Sequence, residues 1–434
     1  MTDGQRDGQR GFGTRCVHAG AEPDPATGAR APPIHQTTSY VFEDADRAAD
    51  LYALDAEGDI YSRFDNPTVA TLERRLADLE GGTAAVATGS GMAALDAATS
   101  ILAASGDNIV SAASLYGGTH TYFATMASRR GVEVRFVDTL DPEAYADAID
   151  GDTAYVHCET LANPSLVTPD IEAVADVAHD RGVPLFVDNT FATPALCRPL
   201  ERGADLVWES TTKWIHGSGT TVGGALVDGG SFPWGEHPDR FPEVGGENPA
   251  FGVNFAERFG DRALAVAARQ RAVRSLGDGQ KPFDAWQTIQ GVETLSLRME
   301  RHCENAMAVA EHLDEHPDVA WVTYPGLADH ETHDAASEYL EGGYGGMVTF
   351  GLEGGYEAGK TLCEETDLAQ FLANVGDAKT LVIHPASTTH AQLSEEDQRA
   401  SGVTPDLVRL SVGIEDAADI VADLDRAIEA ADQP

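Results

Sequence analysis

From residue 66 onward, short apolar runs alternate with helix-patterned stretches, and few folds accept that order. Residues 84–87, 108–112, 132–137, 154–158 and 183–187 are such runs, and 204–208 and 223–227 continue the series. Residues 71–79 and 91–104 read as helices among them. Runs that short and that evenly apolar suit strands covered on both sides, and strands separated by helices pair in parallel. The expected fold class is α/β, with a large, mostly parallel sheet between layers of helices.

The flanking regions differ. Residues 1–60 are expected to form an N-terminal arm, broken by Pro23, Pro25, Pro32 and Pro33, with helical character only over 43–54. Residues 61–275 are expected to carry the large sheet. Within them, 228–259 is rich in Gly, Pro and aromatics, as in Ser231-Phe232-Pro233-Trp234-Gly235. A structureless loop of that length is uncommon unless it has a function. Residues 276–434 open on one long helical stretch, 282–316, and alternate again through strands at 347–350, 380–383 and 407–414. They are expected to form a smaller C-terminal α/β domain.

Charge excludes several partners. Seventy-one acidic residues face 29 basic ones, a formal net charge of −42. Such a surface repels nucleic acid and anionic membranes, so neither is an expected partner. Like charges at this density push a fold apart in dilute buffer, but at molar salt the screening length falls to ~3 Å. A halophilic origin, in a salt-rich cytoplasm, is therefore expected. No apolar run approaches the ~20 residues that span a membrane, and residues 1–10 lack a signal peptide's apolar stretch, so export is not expected. The five cysteines (Cys16, Cys158, Cys197, Cys303 and Cys363) are scattered, with no CxxC pair. That argues for a reducing cytoplasm, without a disulfide framework or zinc knuckle.

The chain has only four lysines, which makes its nucleophiles readable. Lys360 lies among Glu357, Glu364 and Glu365; Lys281 precedes Pro282 in a Gly-rich loop; Lys379 follows Gly376-Asp377. Lys213 is different. It sits in Ser210-Thr211-Thr212-Lys213-Trp214, just past the apolar run 204–208. Open α/β sheets bind ligands where their strands end. A lysine buried for purely structural reasons is rare without a partner. Asp188 likewise ends the run 183–187. A lysine and a carboxylate at strand ends are what pyridoxal phosphate (PLP) requires: an amine to hold it as a Schiff base, and an acid to keep its pyridine nitrogen protonated. Taken alone, Asp188 is more commonly a turn residue or an N-cap.

Other residues fit the same cofactor, each with a plainer reading beside it. Gly89-Ser90-Gly91-Met92 joins a strand to a helix whose first amides can bind a phosphate dianion. The same residues satisfy a loose dinucleotide fingerprint, Gly89-x-Gly91-x-x-Ala94, which would make the chain an NAD-dependent dehydrogenase. That rival needs an acid at the end of the next strand, whereas Asp107 precedes it. Ser210 and Thr212 add hydroxyls, and Tyr116 is an aromatic able to stack on a flat ring, though such a tyrosine is more often a loop or core residue. Strand alternation sets Arg409 and Ser411 opposite Val408, Leu410 and Val412. A strand-buried arginine wants a carboxylate, from a substrate or from an internal salt bridge. His330, His333, His384 and His390 have no zinc spacing, and no metal is expected.

Together these residues resemble the Cys/Met-metabolism group of PLP enzymes, a branch of the fold-type I transferases, over nearly the whole chain. Tyr61-Ser62-Arg63 followed by Asn66-Pro67-Thr68 is similar to the family's Tyr-x-Arg signature, whose tyrosine and arginine reach the phosphate in the neighbouring subunit. The resemblance therefore implies an active site shared across a homodimer, with assembly to a homotetramer. It also implies a PLP-binding domain over 61–275. Cofactor contacts are implied for Tyr61, Arg63, Ser90, Gly91, Met92 and Tyr116, and for Asn163, Asp188, Ser210, Thr212 and Lys213. Catalytic roles fall to Lys213, Tyr116 and Tyr61, and substrate contacts to Arg409, Asn163, Val375 and Thr389. His384-Pro385-Ala386-Ser387-Thr388-Thr389-His390 matches a further family segment.

Within the family the likeness is to the sulfhydrylases. Gly118 stands where methionine γ-lyases carry a cysteine, and the 228–259 segment looks like the sulfhydrylases' insertion. Asn374-Val375-Gly376-Asp377-Ala378-Lys379 is similar to the sulfhydrylase form of a loop that differs in the lyases. The implied reaction is γ-replacement on O-acetylhomoserine, with sulfide or a thiol as partner substrate, giving homocysteine or methionine and acetate. Cystathionine γ-synthase, cystathionine γ-lyase and methionine γ-lyase chemistry are the alternatives within the family. His216 stands where relatives usually have glycine.

Overall fold

The computed structural model describes residues 10–432, apart from 249, 393, 395–397 and 399–401. Seven strands form one sheet: β1 (Ala84–Thr88), β2 (Asn108–Ala112), β3 (Glu133–Val137), β4 (Thr153–Glu159), β5 (Leu185–Asp188), β6 (Leu206–Glu209) and β7 (Gly224–Asp228). Their order is β1-β7-β6-β5-β4-β2-β3. The five strands from β6 to β3 pair in parallel. β7 runs antiparallel to both β6 and β1. The reason lies in the connection: residues 210–223 form turns, with no crossover helix to carry the chain back to the starting edge.

Burial follows the alternation of side chains along each strand. Val86, Ile109, Tyr155, Phe186, Leu206, Trp208 and Leu226 point into one apolar cluster. Their neighbours Ala87, Val110, Val156, Val187, Val207 and Val227 point into the other. The helix Gly91–Leu102 covers the first face. The helices Pro67–Glu80 and Ile171–His179 cover the second. Each fully buried large side chain contributes roughly 1.5–3 kcal/mol of hydrophobic stabilisation, so register is strongly held on both faces.

Residues 228–259 depart from the expected loop. They fold into short elements, among them Pro242–Gly245, β8 (Glu247–Asn248), β9 (Val253–Asn254) and Phe255–Phe259. Phe232, Trp234, Phe241 and Phe255 are all buried in the first apolar cluster. Ring centroids of Phe232 and Trp234 stand 4.5 Å apart, and those of Trp234 and Phe241 5.1 Å. The aromatics that break secondary-structure periodicity here anchor the segment to the sheet.

The stretch 282–316 is two helices, Pro282–Val292 and Leu295–Asp314. The first ends against the backbone of residue 216: a Cβ on Gly291 would lie 2.3 Å from the His216 carbonyl oxygen. The second sheet is β10 (Val319–Thr323), β11 (Met347–Leu352), β12 (Gln370–Phe371), β13 (Leu381–Ile383) and β14 (Leu407–Ser411), in the order β10-β11-β14-β13-β12. Only β12 and β13 pair in parallel. Helices Gly355–Glu365 and Ala417–Ala431 pack on it, with Val408, Leu410 and Val412 in the shared core. No helix among the described residues is long and apolar enough to cross a membrane.

Candidate active site

Three parallel strands end side by side. β4 ends on Glu159, β5 on Asp188 and β6 on Glu209. Glu159 is the register partner of Asp188, and Asp188 that of Trp208. The chain then leaves β6 through a tight turn. Lys213 donates its backbone N–H to the Ser210 carbonyl at 3.1 Å, and Gly217 donates to the Lys213 carbonyl at 2.8 Å. Arg298, reaching from the Leu295–Asp314 helix, donates to the carbonyls of Trp214 (2.6 Å) and Ile215 (3.0 Å). That guanidinium fixes the turn from behind.

The Lys213 ammonium donates to Asn374 Oδ1 at 2.6 Å. Its partner is a neutral amide, and no carboxylate among the described residues holds its charge. Burial, reinforced by the Arg409 guanidinium, pushes its pKa down to about 8. The other lysines are unlike it: Lys281 and Lys379 are exposed, and Lys379 lies 3.6 Å from Asp377.

Asp188 is the complementary anomaly. It is buried, and its Oδ1 accepts the Thr190 N–H at 2.9 Å. Burial raises its pKa, and no cationic side chain among the described residues opposes that. A buried carboxylate without a cation is costly unless a ligand supplies one. A protonated pyridine ring is such a ligand, so the pair Lys213 and Asp188 fits PLP.

The phosphate end fits too. Ser90 caps the Gly91–Leu102 helix, its Oγ accepting the Ala93 N–H at 3.1 Å. The amides of the first turn have no partner within a helix and attract anions. Gly91 is required there, because a Cβ would lie 2.8 Å from the Ser210 Cβ. The helix start, with Ser90 and Met92, is thereby brought against Ser210. Thr212 Oγ1 is 3.1 Å from both the N–H and the carbonyl of Gly223. A cavity of about 640 Å³, lined by Gly89, Thr212, Thr221, Lys281 and Asn374 among others, opens beside these residues.

On the substrate side, Arg409 leaves β14 and donates Nη1 to Asn163 Oδ1 at 3.3 Å. Burial pushes its pKa down to about 10, with no carboxylate paired to it among the described residues. Tyr116 is half exposed in the loop after β2, and its N–H donates to Glu159 Oε1 at 2.6 Å. A Cβ on Gly118 would lie 2.3 Å from the Tyr116 ring, so the ring takes up the space a side chain there would need. Val375 is buried, and Gly376, at φ 74°, seats that loop on the Lys213 turn: a Cβ would lie 2.5 Å from the Trp214 nitrogen. Thr389 is exposed, 2.9 Å from His390 Nδ1.

Tyr61 and Arg63 are not brought into this cluster by their own chain. Both are exposed, and Arg63 stacks 4.9 Å from the Phe64 ring and donates to the Arg274 carbonyl. Among the described hydrogen bonds none joins either residue to Lys213, Asp188 or Thr212. Asp107 lies at the opposite, N-terminal edge of β2, where its Oδ2 accepts the Ala104 N–H, so it cannot face a ligand bound at the Gly89 turn. Of the four candidate histidines, two bond backbone carbonyls: His333 Nδ1 is 2.8 Å from the Pro325 carbonyl oxygen, and His384 bonds Ser387 and the Pro405 carbonyl. No metal-holding group of three or more His, Cys, Asp or Glu occurs among the described residues.

Glu159 and Arg298 are not among the residues that the sequence singles out, and Asn374 is marked there only as the start of a family-like loop. Glu159 follows the run 154–158 as Asp188 follows 183–187, so the same strand-end signal points to it. Arg298 comes from a distant part of the chain and carries no local signal, and the loop resemblance marks Asn374 without its contact to Lys213.

The profile of the family described as Cys/Met metabolism PLP-dependent enzyme matches residues 13–429. A homocysteine synthase of Schizosaccharomyces pombe is 50% identical over 97% of this chain and 98% of its own length. O-acetyl-L-homoserine sulfhydrylase 1 of Thermus thermophilus is 50% identical over 96% of this chain and 99% of its own. A crystal structure of a protein described as an O-acetylhomoserine (thiol)-lyase, from Campylobacter jejuni, superposes with a TM-score of 0.92. It is 36% identical, covers 97% of this chain and 100% of its own, and carries an N′-pyridoxyl-lysine monophosphate.

Proposed function

The chain belongs to the Cys/Met-metabolism PLP-dependent enzymes, and from that premise we propose that it replaces the acetate of O-acetylhomoserine with sulfide to give homocysteine. The cofactor is PLP. The observation that carries the residue assignment is the half-buried Lys213 amine, held by a neutral amide in the turn that follows β6, the strand beside Asp188.

PLP, when bound, supplies an electron sink that stabilises negative charge next to the substrate's amino-bearing carbon. Lys213 would hold it, Asp188 would keep its ring nitrogen protonated, and Ser90, Gly91, Met92, Ser210 and Thr212 would hold its phosphate. Arg409 grips the substrate α-carboxylate with its planar fork, and Asn163 orients that fork. Lys213, once free, takes the proton from Cα and then moves protons at Cβ. Acetate leaves Cγ with the bonding electron pair, and hydrosulfide supplies the pair for the new C–S bond at the same carbon. Tyr116 would stack on the ring and, with Tyr61, would assist proton transfer; Val375 and Thr389 would border the substrate.

The test is an assay of sulfide, methanethiol and cysteine against acetyl- and succinyl-homoserine. Homocysteine from sulfide and the acetyl ester is the expected main product. Cystathionine from cysteine and the succinyl ester as main product would overturn the reading.

The lowered Lys213 pKa sets a pH dependence. Only the uncharged amine bonds to an aldehyde, and the fraction uncharged falls tenfold per unit below a pKa of about 8. Uptake of PLP by the cofactor-free protein, followed as visible absorbance, is expected to accelerate from pH 6 upward and level off above about pH 8. An ordinary lysine would keep accelerating past pH 9.

We further propose three units, 1–60, 61–275 with its 228–259 insertion, and 276–434, a cytoplasmic location, and a homodimer that assembles to a tetramer. In that dimer Tyr61 and Arg63 serve the neighbouring subunit's phosphate. Their exposure in a single chain supports this. Arg63→Ala and Lys213→Ala proteins, each inactive, are expected to regain about a quarter of wild-type activity when refolded together in equal amounts. Half the dimers are then mixed, and one of their two sites is intact. No recovery would place Arg63 in its own subunit's site.

A further inference from the structure

Glu159 takes no part in the chemistry above, yet three features converge on it. It ends β4 directly beside Asp188, and it is only 4% exposed. Its Oε1 accepts the Tyr116 N–H at 2.6 Å, and its Oε2 accepts the Asn163 N–H at 3.0 Å. Those amides belong to different loops, one following β2 and one following β4. Asn163 in turn receives the Arg409 guanidinium.

We propose that Glu159 is a positioning residue: one carboxylate that ties the loop presenting the Tyr116 ring to the loop presenting Asn163, and so sets the cofactor face and the substrate-carboxylate grip as a unit. The claim rests on the active-site reading above and adds a link within it. Its chemical signature is specific. Both oxygens act as acceptors, which a carboxylate satisfies and a neutral amide does not. Glutamine keeps the volume of Glu159 but turns one acceptor into a donor, which then faces a backbone N–H. Aspartate keeps the charge but is one methylene shorter, so it cannot reach both loops at these distances.

The neighbour matters as well. Glu159 and Asp188 share one water-poor site, and burial together with Asp188 disfavours the charged form of Glu159. A cation placed against Asp188 relieves that repulsion. Cofactor binding is therefore expected to tighten the tie, linking the seating of PLP to the order of both loops before any substrate arrives.

The experiment compares wild type, Glu159→Gln and Glu159→Asp, with and without PLP, by residue-resolved hydrogen exchange and by steady-state kinetics. In the wild type the Tyr116 and Asn163 amides are expected to exchange slowly although both lie in loops, and more slowly still with PLP. In Glu159→Gln at least one of them is expected to exchange about tenfold faster or more, with β5 and β6 unchanged. KM for O-acetylhomoserine is expected to rise about tenfold, with a smaller fall in kcat, and the circular dichroism of the bound cofactor to change. Fast exchange of both amides in the wild type overturns the proposal without any variant, so a Glu159→Gln protein that fails to fold leaves it testable. Even loss of protection across β4, β5 and β6, or an unchanged KM in both variants, overturns it too. The exchange readings need no substrate, so they stand apart from the outcome of the sulfhydrylase assay.

Discussion

Lys213→Ala is expected to abolish both the visible absorbance of lysine-bound PLP and measurable turnover. In the proposed scheme the residue does two jobs, covalent attachment and proton transfer. General acid–base catalysis alone is worth about 10² to 10⁴ in rate, so a fall in kcat of at least about 10³ is expected. The scarcity of lysine makes this unusually clean to test, because only three others exist in the chain. Borohydride reduction of the wild-type holoenzyme followed by peptide mass analysis should place the cofactor on the peptide containing Lys213. Lys360→Ala, on the helix Gly355–Glu365, is the control and should retain full activity. A Lys213→Ala protein that still turned over, or a reduced adduct on another lysine, would sink the catalytic scheme.

The second large effect expected is of salt. Even if every Lys and Arg paired with one carboxylate, the formal charge of −42 would remain uncompensated. The ion pairs that do form are mostly partly exposed arginines on single carboxylates, as with Arg202 and Glu172 at 3.0 Å, and such pairs contribute little. Screening length falls from about 10 Å at 0.1 M to about 3 Å at 1 M. Raising KCl from ~0.1 M to ~2 M is therefore expected to raise Tm by at least about 10 °C, several kcal/mol for a chain of this size. Activity should follow the same curve. Calorimetry across a salt series, with glycerol as a control for water activity, separates charge screening from general preferential exclusion. Equal stability and activity in low-salt buffer would refute the halophilic reading.

How much of this was legible in the sequence depends on the range of the interactions. Strand ends are local, so Lys213 and Asp188 stand out from their own neighbours, and the α/β class follows from the alternation. The direction of β7 was not legible, because it depends on what residues 210–223 do in space rather than on the run 224–228 itself. The 228–259 segment reads as a loop because its glycines and prolines erase periodicity, while the burial of Phe232, Trp234 and Phe241 shows only against the sheet. β10 gave little signal because its residues are mostly half buried, which leaves no clean in–out pattern. Arg298 reaches the Trp214 and Ile215 carbonyls across 84 and 83 residues, and Asn374 reaches Lys213 across 161, and no local pattern reports such contacts. Tyr61 and Arg63 were singled out by motif resemblance alone; one chain gives them no partner at the lysine.

Both restraints on the Lys213 turn, Arg298 behind its backbone and Asn374 at its amine, are supplied by the chain downstream of the first sheet. During synthesis the N-terminal part emerges first. A nascent polypeptide still tethered at residue 290 already has every strand of the seven-stranded sheet available, but lacks the parts that hold its nucleophile still. Stable capture of the coenzyme is therefore expected only late in translation, when the C-terminal third has left the ribosome.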